Sequence, residues 1–130
     1  MKRIILAVAL ALLSALCAFG QTYNIKVDAS IPEEAQQLLV QRFTQMLEAG
    51  GLTVAGDGAP LEVKVAKEER TQMQGGQVAL SVELVAVAGD VKESFPLKNV
   101  GENEADAWLR AAKQLLPRSK AAQAFVTALK

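Results

Sequence analysis

An α+β (or α/β) fold, built as one mostly antiparallel sheet of four to five strands with helices packed on one face, is predicted by three features of this 130-residue sequence. Short stretches at 23–28, 61–65 and 78–84 alternate apolar and polar residues, the period of half-buried strands. Two longer stretches repeat apolar residues every three to four positions, as amphipathic helices do. The third feature is Gly89-Asp90, placed between two alternating runs: as the turn of a hairpin it sets Leu84 opposite Phe95 and Val82 opposite Leu97, apolar on apolar.

The elements follow in order. Tyr23, Ile25 and Val27 are expected to point inward from the first strand. Ser30-Ile31-Pro32-Glu33 then reads as a helix start, with Ser30 as cap, Glu33 completing a capping box and Pro32 in the first turn. Ala35, Leu38, Leu39, Phe43, Met46 and Leu47 form the apolar face, and Gly50-Gly51 ends the helix. Leu52-Thr53-Val54 is a short extended piece, followed by a turn at 56–60. Strands are expected at 61–65 and 78–84. The polar stretch Lys67 to Gly76 between them reads as a long hairpin tip standing in solvent. Pro96 cannot donate to a ladder, so the strand at 91–97 belongs at an edge. A closing helix from Glu102 or Asn103 carries Ala105, Trp108, Leu109, Ala112, Leu115 and Leu116 on one face. Pro117 breaks it, and Ser119 recaps a last segment that buries Ala122, Phe125, Val126 and Leu129.

The first 20 residues have the pattern of a bacterial secretory leader: Lys2 and Arg3, then an apolar run from Ile4 that is shorter than the roughly 20 residues a membrane span needs. Ala18-Phe19-Gly20 offers small residues for a cut before Gln21, which leaves a single domain at 21–130 with no transmembrane span. The rival reading is an outer-membrane lipoprotein tethered through Cys17, but bulky Leu16 directly before it fits that processing poorly. The favoured location is periplasmic or secreted. Cys17 is the single cysteine of the chain, so the mature domain would hold together on its apolar core without disulfides.

Composition narrows the chemistry. Lysine plus arginine and aspartate plus glutamate both number 14, and loss of Lys2 and Arg3 leaves a net of −2, which gives no nucleic-acid footprint. The chain has no histidine, the usual base near neutral pH and the commonest metal ligand. With Cys17 removed no thiol nucleophile remains, and the carboxylates Asp28, Asp57, Glu62, Glu68, Glu69, Glu83 and Glu93 fall on solvent faces or loops. The expectation is a non-enzymatic protein with no cofactor or metal.

Two surfaces are candidates for a protein contact: the hairpin tip, with Arg70, Thr71, Gln72, Met73 and Gln74, and the edge strand, with Val91 and Phe95. A rival carrier reading places a small ligand in a pocket between sheet and helices, lined by Phe43, Phe95 and Trp108.

Leu61 to Val65, Val78 to Val87, Gly89-Asp90, Val91 to Leu97, Glu104-Ala105 and the run Ala111 to Leu116, with the earlier piece Gly51-Leu52-Thr53-Val54, form a pattern that resembles small bacterial envelope domains. These are the curli-secretion CsgG-like, LpoB-like and TolB N-terminal domains. The resemblance implies an accessory role in the envelope, binding another envelope or secreted protein without catalysis.

Overall fold

The computed structural model describes residues 22–130; the expected leader and its expected cut before Gln21 lie outside the described residues. Strand β1 (Thr22–Val27) leads into α1 (Glu33–Ala49), β2 (Thr53–Val54), β3 (Ala59–Gln72), β4 (Val78–Ala88), β5 (Val91–Gly101), α2 (Glu104–Lys113) and α3 (Lys120–Leu129). The strands form a five-stranded mixed sheet in the order β2-β1-β3-β4-β5. β1 runs parallel to both of its neighbours, and the long β3–β4 and β4–β5 pairings are antiparallel. This is the expected α+β architecture. A parallel crossover through α1 is what brings the two-residue β2 beside β1.

The β4–β5 register is the one predicted. Leu84 pairs with Phe95 and Val82 with Leu97 around a two-residue turn, in which Gly89 takes φ +60°. Residues of β4 alternate buried and half-buried along the whole strand, because one face meets the helices and the other does not.

One core joins all three helices to the sheet. The rings of Phe43 on α1 and Phe95 on β5 meet edge to face at 5.3 Å, and Phe95 meets Phe125 on α3 in the same way at 6.0 Å. This is the favoured geometry for aromatic quadrupoles. Trp108 is 1% exposed, and Phe43 and Phe125 are fully buried.

One departure from the sequence reading lies at the start of α1. Ser30 does not cap α1. Its N–H and hydroxyl both donate to Asp28 Oδ1, at 3.0 and 2.9 Å, because a carboxylate two residues back captures them in an Asx turn. Pro32 stands at the cap position without a side-chain bond. The far end follows expectation: Gly51 takes φ +86°, its N–H donates to Glu48 O, and Leu52 N–H donates to Leu47 O. These bonds form a Schellman motif, sealed by buried Leu47 and Leu52.

The face of α2 is also turned from the expected one. Ala105 and Leu116 are exposed, while Ala107 and Ala111 are buried beside Trp108 and Ala112. The start of α2 lies directly on the end of β5, where a Cβ on Gly101 would overlap the backbone of Ala107. Only the small side chains can occupy that contact. Ser119 caps α3 through Ala122 N–H at 3.2 Å, as expected.

Candidate partner-binding surface

The stretch expected to be a loop, Lys67 to Gly76, is mostly strand. β3 runs on to Gln72, paired residue for residue with β4 as far as Val78. It carries polar side chains on both faces, so no apolar period marks it; the ladder with β4 supplies the order.

A bulge between Val65 and Lys67 shifts the alternation of β3. Before it, Leu61 and Val63 face the core. After it, Glu68, Arg70 and Gln72 pair with the inward-facing Val82, Leu80 and Val78, and Lys67, Glu69 and Thr71 turn to the uncovered face opposite Glu83, Ser81 and Ala79. Asp28 holds the bulge in place: its N–H donates to Val63 O at 2.9 Å, and its Oδ2 accepts from Val65 N–H at 3.3 Å. The Ser30 N–H, then the Ser30 hydroxyl, hold the Asp28 carboxyl below its ordinary range, with Val65 N–H and Lys64 adding to the effect.

Five candidate residues are brought together at the end of this arm, and one of them is already engaged. Arg70 pairs through Nε with Glu68 Oε2 at 2.7 Å and through a terminal nitrogen with Glu104 Oε1 at 2.9 Å, tying β3 to the first turn of α2. Thr71, Gln72, Met73 and Gln74 are exposed. The tip closes with Met73 N–H on Gln77 O at 2.7 Å, and Gly75 and Gly76 hold φ of +74° and +81°, the left-handed region that glycine enters without strain.

On the uncovered face the arm has a shallow groove of about 500 Å³, lined by Thr71, Ala79, Lys98 and Val100 among others. It adjoins a second groove lined by Lys67, Glu69, Ser81, Glu83 and Pro96. Met73 is 43% exposed and Val100 37%, so apolar surface is presented at the tip end of this face.

The β5 edge is unlike what the sequence led us to expect. Phe95 is 2% exposed and points into the core, which removes it as a contact residue. Val91 is half-buried against the same core. Along the strand, Pro96 has no N–H to offer. Lys98 N–H donates to Gln114 Oε1 at 3.2 Å, Val100 N–H to Asn99 Oδ1 at 2.8 Å, and Glu102 N–H to Asp106 Oδ2 at 2.9 Å. The same Asp106 pairs with Arg110 at 2.9 Å, and Asn99 Nδ2 donates to Arg110 O at 3.3 Å. Glu102 N–H, above all, and Arg110 hold the Asp106 carboxyl below its ordinary range. Side chains have thus replaced the partner strand along much of this edge, a common defence against edge-to-edge pairing. Asn99, Asp106 and Gln114 carried no sequence signal for this role, because it depends on where α2 lies.

Phe43, Phe95 and Trp108 all belong to the packed core, and the grooves described above are lined by other residues. Among the described residues, no group of three or more His, Cys, Asp or Glu side chains is placed to hold a metal ion, and no helix is long and apolar enough to cross a membrane.

Fold and surface together define a two-layer α+β domain whose distinctive exposed feature is a polar hairpin arm. No family model and no curated protein matches the chain. Among solved structures it is similar to a minor lipoprotein from Acinetobacter baumannii, at 10% identity and TM-score 0.43 over 83% of this chain and 92% of that one. It is also similar to the PelC dodecamer from Paraburkholderia phytofirmans, at 13% identity and TM-score 0.35 over 85% of this chain and 86% of that one.

Proposed function

We propose that this protein is an exported, non-enzymatic accessory domain of the cell envelope, periplasmic or secreted, that binds another envelope or secreted protein. The contact is the distal β3–β4 arm: Thr71, Gln72, Met73 and Gln74 at the tip, with the adjoining groove floored by Ala79 and Val100. The observation that carries this reading is the exposure of Met73 and Val100 at the end of an ordered arm, since exposed apolar surface on a rigid polar element is what a partner interface requires. The leader pattern of the first 20 residues supports export. The carrier reading has no comparable support, because its three aromatic residues are close-packed.

Site-specific photocrosslinking tests the assignment. A photoreactive residue at Met73, in protein exported in its native host, is expected to give a discrete adduct with a second envelope protein, told by its mass from any adduct between two copies of this chain. The same residue at Ser94 on β5 is expected to give none. An adduct at Ser94 with nothing at Met73 would reverse the assignment.

A further inference from the structure

Among the described residues, β3 has two neighbours along its first half and one along its second. β1 pairs with it from Ala59 to Val63 and then ends, with Asp28 sealing the step at Val65. From Lys67 to Gln72 its strand partner among the described residues is β4. In an antiparallel ladder, residues turn their N–H and C=O alternately toward one neighbour and the other. Val63 O faces β1, where it accepts from Asp28 N–H. Counting on through the bulge, Lys67, Glu69 and Thr71 bond to β4, while Glu68, Arg70 and Gln72 turn their backbone groups outward. Among the described residues, no loop or side chain caps those three positions. On the β5 edge the stretch from Pro96 to Glu102 is covered by Gln114, Asn99 and Asp106, so the two stretches are treated in opposite ways.

We propose that this open stretch is a self-association edge: two copies of the chain pair antiparallel through Arg70 to Gln72, about a two-fold axis at Thr71, and join their sheets into one of ten strands. Closed two-fold pairing satisfies each edge with the same edge of the other copy. Charge selects the register. The outward-facing residues must meet each other, and pairings that engage at least two of the three have axes at Glu69, Arg70 or Thr71. An axis at Glu69 sets two carboxylates directly opposite, and one at Arg70 sets two guanidiniums opposite; like charges so placed destabilise a pair. An axis at Thr71 pairs Thr71 with Thr71 of the other copy, Arg70 with Gln72, and Glu69 with Met73. Four backbone hydrogen bonds result, and the stem of Glu69 covers the exposed Met73 of the other copy. The Arg70 bridge to Glu104 points inward over the sheet and is kept.

The test has two arms. Sedimentation velocity from low-micromolar to near-millimolar protein is expected to show a monomer–dimer equilibrium. Gln72→Pro, which removes an outward N–H and no bond to β4, is expected to raise its midpoint at least about tenfold, the effect of about 1.4 kcal/mol. A concentration-independent monomer, or a Gln72→Pro variant that dimerises like the parent, overturns the proposal. In the second arm Thr71→Cys is combined with Cys17→Ala. Directly opposed residues of a non-hydrogen-bonded pair lie about 4.5 Å apart at Cα, within disulfide reach. Mild oxidation is expected to give a covalent dimer much faster than with Ser94→Cys. Equal rates, or faster crosslinking by Glu69→Cys, would refute the Thr71 axis.

Discussion

Truncating Phe95 separates the packed-core description from a ligand-lining one. The ring is 2% exposed and touches two other rings edge to face. An aromatic side chain of this kind buries about 150–250 Å², worth roughly 25 cal/mol per Å². Phe95→Ala retains only the Cβ, leaves a cavity between α1 and α3, and forfeits two aromatic contacts of about 0.5–1.5 kcal/mol each. We expect a loss of about 4 kcal/mol, a large share of the 5–15 kcal/mol that holds a typical domain together. With a urea slope of about 1–3 kcal/mol per molar, the midpoint should fall by at least about 1.3 M at unchanged slope. Phe95→Leu, which keeps most of the volume and loses only the ring contacts, should cost less than half as much. A loss under about 1.5 kcal/mol for Phe95→Ala would show that the ring faces a cavity able to accommodate its absence, and the core assignment would be wrong.

Four further substitutions test other features of the structure. Asp28→Ala removes the acceptor for Ser30 and Val65 and should cost about 1–2 kcal/mol by chemical denaturation, given the part-exposed position of the carboxylate. Because the folded carboxyl titrates below its unfolded value, its contribution is fully present above about pH 4 and disappears as pH falls through the lower folded value. The stability of Asp28→Ala should therefore be less acid-sensitive than that of the parent. Gly101→Ala forces a Cβ into the Ala107 backbone and should cost about 1–3 kcal/mol. Gly51→Ala meets no atom but must hold a positive φ, which should cost about 1–2 kcal/mol by the same measurement. Arg70→Met removes two half-exposed ion pairs and should change stability by less than about 1 kcal/mol, with no dependence on salt beyond that range.

What could be read from the chain was whatever rested on one side of a boundary between apolar and polar. The β4–β5 register was legible because two alternating runs flank a two-residue turn, and a slip by one residue would have exposed both. The buried stripe of α1 was legible for the same reason. Lys67 to Gln72 was not, since a strand that is polar on both faces has no period to detect and owes its shape to its neighbour. The face of α2 was misjudged by its alanines, which satisfy either rotation of the helix until Gly101 is known to lie beneath Ala107. Ser30 illustrates local competition: two acceptable roles were available, and the nearby Asp28 decided between them. Of the candidate contact residues, the exposure of Thr71 to Gln74 was legible in their polarity and in the glycine pair beyond them. Phe95 was misassigned because edge-strand position says nothing about which way a side chain points.

The place of β1 in the sheet has a consequence for the order of assembly. It is an inner strand, yet it is the first of the described elements, and its principal partner begins at Ala59, after the whole of α1. The β3–β4–β5 meander, by contrast, closes through tight local turns, and contacts close in sequence form early. We therefore expect mutations in that meander to slow refolding, while mutations at Ile25 mainly speed unfolding. A chain emerging N-terminus first would hold its earliest strand unpaired until the centre of the sheet had followed it.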